Sequence, residues 1–306
     1  MNRIIIDTDP GIDDAHAIMM AFAHPEAQVE ALTTVAGNVS LESATLNALK
    51  ILEVVGKDVP VYPGCEDALV IPTPRRAISH GVDGLGDSGY PPPSHQASPE
   101  HAAQALIRLA NENPGELTLA AIGPLTNVAL ATRLDPSLPL KYKRLVVMGG
   151  AIHAKGNSWE RAAEFNFYCD PEAAAIVFQR WPEITLLPWE TTLAHPLVPQ
   201  QVEELRRGNS PRAELFRRTI KNRLVGQTPE GKALWEPDPL TLAVALEPEI
   251  VQRFETHYIE IELAGKLTRG QTVVDWDNLT GHPHNVKVVM EINRERFWEL
   301  MKQSLA

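Results

Sequence analysis

Ile4-Ile5-Ile6-Asp7-Thr8-Asp9-Pro10-Gly11-Ile12-Asp13-Asp14 stands near the start of the chain. Three consecutive β-branched residues read as a short strand packed on both faces, where an uninterrupted apolar run is expected. Pro10-Gly11 ends that strand in a turn, and a helical pattern follows over 14–24. Asp7, Asp9, Asp13 and Asp14 crowd that turn. Crowded carboxylates repel, and burying them unpaired costs several kcal/mol or raises their pKa by roughly 3–5 units. A hard divalent cation removes the conflict, and oxygen-only ligands favour Ca²⁺ or Mg²⁺ over zinc. The competing reading is a solvated turn with Asp13 as helix N-cap. It leaves Asp9 and Asp14 without a task.

Working outward, strand and helix patterns alternate. A second apolar run over 29–36 ends at Gly37-Asn38 and precedes a helical stretch at 41–55. A short strand is expected at 59–62, then a helix at 101–111, a strand at 116–122, a helix at 125–133 and a strand at 144–148. Such alternation predicts parallel βαβ units. Further helices are expected at 171–180, 198–206, 211–224, 239–246 and 294–305, with strands at 257–263, 271–274 and 286–292. No repeat or linker divides the chain, so residues 1–306 are expected to form a single α/β domain. Its central sheet should be open and mostly parallel, with helices flanking it and the site at the carboxyl ends of the strands. Asp7 and Asp9, Asn38, Ile122-Gly123 and Met148-Gly149-Gly150 all fall at such ends. Residues 64–98 and 149–169 are too long for plain connections and read as functional loops.

The balance of 28 basic and 39 acidic side chains gives a net charge of −11, which disfavours a general grip on nucleic acid. Hydrophobic residues at 44% and charged residues at 22% fit a globular chain rather than a disordered one. The two cysteines, Cys65 and Cys169, form no CxxC pair; they suit a reducing cytoplasm and rule out a thiolate zinc site. An apolar run of three is too short for a signal peptide, and no stretch approaches a membrane span.

DTDPGIDDA (7–15) resembles the N-terminal signature of the inosine-uridine-preferring nucleoside hydrolase family. TTVAGN (33–38), HGVDGLG (80–86), GPLTN (123–127), MGG (148–150), AEFNFYCDPEAA (163–174), DPLTLA (238–243) and GQTVVDW (270–276) match in the same order. The resemblance implies Ca²⁺-assisted hydrolysis of the N-glycosidic bond of ribonucleosides on an open α/β fold. Carried over residue by residue, Asp9, Asp14 and Asp238 become the carboxylate ligands of the calcium. The main-chain carbonyl of Ile122 becomes a further ligand, and the ribose 2′- and 3′-hydroxyls and water complete the shell. Asp13 becomes the general base on the attacking water. Asn38, Met148, Asn157, Glu164, Phe165 and Asn166 become the ribose-holding set. The family also implies a homo-oligomer, dimer or tetramer.

The chain departs from the family where a histidine usually precedes the last aspartate ligand: Pro237 stands there, and proline donates no proton. His80 is the first candidate to act on the leaving base. Trp159 or Trp235 stacking on the base, or a buried Glu236, are the alternatives, with His153 and His195 as weaker candidates for the base pocket. His282 and His284 read as surface loop. The region aligned with the family's PLDVT reads Pro188-Trp189-Glu190-Thr191-Thr192, with the acid one carbon longer. Two competing functions follow from the residues. One is a nucleoside- or ribose-binding sensor without turnover, suggested by Pro237. The other is a haloacid-dehalogenase-type phosphatase, suggested by Asp7-x-Asp9 after a strand.

Overall fold

The computed structural model describes residues 2–72, 78–159, 161–222, 226–228 and 231–306. Its strands are β1 (Asn2–Thr8), β2 (Ala27–Thr34), β3 (Val61–Pro63), β4 (Thr118–Ala121), β5 (Arg144–Met148) and β6 (Ile184–Leu187), followed by β7 (Gly226–Thr228), β8 (Gly231–Ala233), β9 (Val251–His257), β10 (Ile259–Ile261), β11 (Thr272–Val274) and β12 (Val286–Ile292). Eight of them form one sheet in the order β3-β2-β1-β4-β5-β6-β12-β9. Every neighbouring pair is parallel except β12 and β9, which run antiparallel at one edge.

The apolar run that opens the chain explains why the sheet is covered twice. Ile4 and Ile6 join the core on one face and Ile5 joins the core on the other, all fully buried. Helices 12–23, 237–246 and 294–304 cover the first face; helices 102–112, 126–134 and 171–180 cover the second. Parallel strands need crossover connections, and a helix on each face supplies them.

The strand order reverses direction at β1. The chain runs outward through β2 and β3, then returns to place β4 on the other side of β1. Connections on either side of such a point leave the sheet in opposite directions and open a crevice at its carboxyl ends. The acidic turn leaves β1 there, and Ile122 leaves β4 beside it, with the Ile122 N–H donating to the Asp7 carbonyl at 2.8 Å.

The sequence pattern misplaced several features. Helix α1 (Ile12–Ala23) starts two residues earlier than expected, with Gly11 at the cap and Asp13 already inside the first turn, so Asp13 is not an N-cap. The strand expected at 257–263 is the shorter β10, and β9 before it, which shares only His257 with that stretch, was not anticipated. Strand β6 was not anticipated, because four residues carry too little periodicity to register. The loop at 149–169 ends in a short helix, Phe165–Cys169. The last residues of the helix expected at 211–224 lie outside the described residues; the helix itself ends at Thr219.

Candidate active site

The acidic turn holds its own shape through its carboxylates. Asp14, in the first turn of α1, accepts the Thr8 hydroxyl at 2.6 Å on one oxygen and the Gly11 N–H at 2.8 Å on the other. Its second oxygen also receives the Asn38 amide at 3.2 Å. Asp9 accepts the Asn38 main-chain N–H at 2.6 Å through Oδ2, while Oδ1 is buried without a hydrogen-bond partner among the described residues. Asp238 arrives from the first turn of helix Pro237–Leu246. Ligand oxygens of Asp13, Asp14 and Asp238 lie within 4.8 Å of one another. Sequence separation of more than 200 residues is thus closed by packing α1 against that helix, all of whose residues are buried.

Burial sets the electrostatics. It pushes Asp14 up to about 6, with the adjacent Asp13 charge adding to the rise. It raises Asp9 well above the ordinary carboxylate range, again with Asp14 contributing. Asp7, two residues earlier, is pushed up to about 6 by burial against two stabilising hydrogen bonds from Asn127 and Thr33. Three facing carboxylates and an orphaned buried carboxylate oxygen are the donor set a hard cation needs. The residues present fit such an ion.

Around the carboxylates lies a cleft of about 310 Å³. Its floor is built from the carboxyl ends of β4 and β5, where Ile122 and Met148 line it. Asn166 ties these together: its amide donates to the Ile122 carbonyl at 2.9 Å and the Met148 carbonyl at 3.3 Å. Glu164 caps the helix that carries Asn166, accepting the main-chain N–H of Asn166 at 2.9 Å and, through its other oxygen, that of Gly150 at 3.0 Å. Burial holds Glu164 at about 7. Asn157 accepts the Phe165 N–H at 2.8 Å, which places both at the rim of the cleft.

His80 enters from the loop after β3. Its Nδ1 accepts the Ile12 N–H at 3.1 Å and lies 3.6 Å from Asp13 Oδ1. A ring that accepts at Nδ1 carries its proton on Nε2 when neutral. Trp189 and Trp235 close the far end of the cleft, ring centroids 5.9 Å apart at 74°. Pro237 lines the cleft beside them.

The cleft therefore receives Asp13, Asn38, His80, Ile122, Met148, Asn157, Glu164, Phe165, Asn166 and Asp238, whereas Asp9 and Asp14 are fully buried outside its lining. Other sequence candidates go elsewhere. Trp159 is 63% exposed and outside the lining. Glu236 is fully buried against His16, with Nδ1 2.9 Å from Oε2, and does not line the cleft. His153 stacks on Trp276. His195 is buried between the Thr191 carbonyl and the Ile292 N–H. Glu190 holds the loop after β5, accepting the N–H groups of Ile152 and His153. Trp189 and Ser79 were missed. Trp189 follows β6, whose four residues give too weak a pattern to mark it as a strand-end residue.

The family model for inosine-uridine preferring nucleoside hydrolase matches residues 4–299. The chain belongs to that family.

The nucleoside hydrolase likeness extends over nearly the whole length of two curated relatives. The chain is 37% identical to the pyrimidine-specific ribonucleoside hydrolase RihA of Photobacterium profundum, covering 99% of this chain and 98% of the relative. It is also 37% identical to the inosine-uridine preferring nucleoside hydrolase of Leishmania major, over 99% and 97%. Among solved structures, an inosine-guanosine nucleoside hydrolase superposes with a TM-score of 0.91 at 34% identity, covering 99% of this chain and 98% of that one. The protein is thus a hydrolase of N-glycosyl compounds, and the phosphatase alternative is set aside. No helix among the described residues is long and apolar enough to cross a membrane.

Proposed function

We propose that this nucleoside hydrolase cleaves the N-glycosidic bond of ribonucleosides to free base and ribose with the help of Ca²⁺. Asp9, Asp14, Asp238 and the Ile122 carbonyl would hold the ion. When bound there, a calcium ion supplies positive charge that favours deprotonation of water and attracts a vicinal diol. The observation that carries this reading is the meeting of Asp13, Asp14 and Asp238 within 4.8 Å, together with a buried Asp9 oxygen that has no hydrogen-bond partner among the described residues.

Asp13 takes the proton of the attacking water as its oxygen adds to C1′. The C1′–N bond breaks, and its electron pair leaves with the base. Asn38, Asn166 and Glu164 orient the sugar, since their amides and carboxylate complement hydroxyls that both donate and accept. Holding the sugar lets binding energy favour the oxocarbenium-like geometry at C1′. Met148, Asn157 and Phe165 complete that wall. His80 acts on the departing base through its Nε2–H, because Pro237 brings no donor. The indole pair gives the base an apolar, stacking end. The named activities of the relatives span pyrimidine and purine nucleosides, so the base end is where substrate choice is made. The whole chain, 1–306, acts as one domain, in the cytoplasm, where a chain with only two cysteines, Cys65 and Cys169, is at home, and as a homo-oligomer.

The test is release of reducing sugar from a panel of purine and pyrimidine ribonucleosides, in CaCl₂ and in EDTA. Release that depends on calcium and collapses in Asp13→Ala is expected. Full activity in EDTA, or an active Asp13→Ala enzyme, overturns the assignment.

A further inference from the structure

The two ends of the main sheet are finished differently. At one end β3 is three residues long and finishes in Pro63, which has no N–H to offer a further strand. At the other end β9 is seven residues long, contains no proline, and among the described residues pairs only with β12. Its side chains are exposed or half-buried throughout, and Phe254 at its centre is 54% exposed. A long unpaired edge with an exposed aromatic is a template for another strand.

The sequence of β9 says which strand. Val251-Gln252-Arg253-Phe254-Glu255-Thr256-His257 is self-complementary when two copies run antiparallel about a two-fold axis at Phe254. Arg253 then lies opposite the partner's Glu255, Glu255 opposite the partner's Arg253, and Phe254 opposite itself. Moving the axis by one residue sets Arg253 against Arg253, or Glu255 against Glu255. Opposite charges facing across strands stabilise and like charges destabilise, so charge favours this register, in which Arg253 and Glu255, paired with each other along the strand, also face their counterparts. A two-fold contact is isologous by definition and requires this self-complementarity. The surface continues beyond the strand: His257 meets Trp276 edge-on at 4.8 Å, and Trp276 leads to Leu279, which is 84% exposed.

We propose that β9 is an assembly edge, and that its occupant is β9 of a second copy of this chain, paired antiparallel about Phe254. The pairing joins two sheets edge to edge. It rests on the reading that the protein self-associates and specifies the face that does so.

The experiment is sedimentation velocity on the full chain from sub-micromolar to tens of micromolar, with circular dichroism as the control for folding. Arg253→Glu and Glu255→Arg are each expected to halve the assembly mass or raise its dissociation constant at least tenfold. The double swap Arg253→Glu/Glu255→Arg is expected to restore the assembly, because it regenerates the complementary ladder. A wild-type protein that is monomeric throughout overturns both this edge and self-association. An oligomer whose mass is unmoved by the single reversals, or a folded double swap that stays dissociated, overturns the β9 pairing alone.

Discussion

The Asn38 main-chain N–H donates to Asp9 Oδ2 at 2.6 Å, fastening the turn after β2 to the turn after β1. The contact requires the backbone itself to approach the carboxylate. A Cβ on the preceding Gly37 would sit 2.1 Å from Asp9 Oδ2 and 2.8 Å from the Pro124 ring. Gly37→Ala is therefore expected to displace Asp9, at a cost of about 1–3 kcal/mol from overpacking. Calcium affinity should fall at least tenfold, read by titration calorimetry, and the melting temperature should drop. Unchanged affinity would place Asp9 outside the ion site.

On the proposed mechanism, the neighbours Asp13 and Asp14 have separable tasks. Asp14 is spent on Thr8, Gly11 and Asn38, whereas Asp13 faces the cleft. Asp13→Asn should lower kcat by about 10²–10⁴, the usual worth of a general base, and leave calcium binding within tenfold. Asp14→Asn should abolish measurable calcium binding. Equal losses of calcium affinity in both variants would show that Asp13 is a ligand rather than the base.

Proton linkage gives a metal-dependent pH profile. Asp14 and Glu164 are held at about 6 and about 7, and Asp9 is raised as well. Between roughly pH 4 and those values the folded chain keeps protons that the unfolded chain has released, so stability falls as pH rises through that window. Cation-free protein should melt several degrees lower at pH 7.5 than at pH 5. Calcium should restore the pH 7.5 value most and release protons on binding. Thermal scans in EDTA and in calcium at both pH values decide this; a cation-free melting temperature that climbs with pH counts against it.

The indole pair should act on the base and not on the bond. Base–aromatic stacking is worth about 1–3 kcal/mol per base. Trp235→Ala and Trp189→Ala are expected to raise KM roughly 5- to 100-fold with kcat changed much less, as steady-state kinetics will show. A fall in kcat at constant KM would assign the indoles to the transition state instead.

His16 and Glu236 are both fully buried, 220 residues apart, and join α1 to the segment that carries Asp238. The second ring nitrogen of His16 lies 3.2 Å from the Thr219 hydroxyl. Truncating one partner of a buried hydrogen-bonded pair leaves the other polar group unsatisfied, at about 1–3 kcal/mol. His16→Ala should lose that much in urea unfolding, and His16→Leu/Glu236→Leu should recover most of it. A loss under 1 kcal/mol would mean that the pair contributes little.

Local chemistry made much of this protein legible before folding was considered. Ile4-Ile5-Ile6 had to be a strand buried on both faces, and a parallel sheet follows from the alternation behind it. The acidic turn carried its own demand for a cation. Pro237 declared, by its ring, that it holds no proton. These are properties of a residue and its neighbours in sequence, and sequence contains them. The tertiary structure decided which distant groups meet. Among the histidines weighed for the cleft, only packing could send His80 into it, wedge His195 behind the sheet and lay His153 on Trp276. Glu236 and Trp235 are adjacent, yet one turns to a buried imidazole and the other to the cleft, because the turn into helix Pro237–Leu246 points them apart. Strand β9 gave no apolar signal because an edge strand whose side chains are exposed or half-buried has little core to face. Its place at the border of the sheet is set by the strands it joins, not by its own residues.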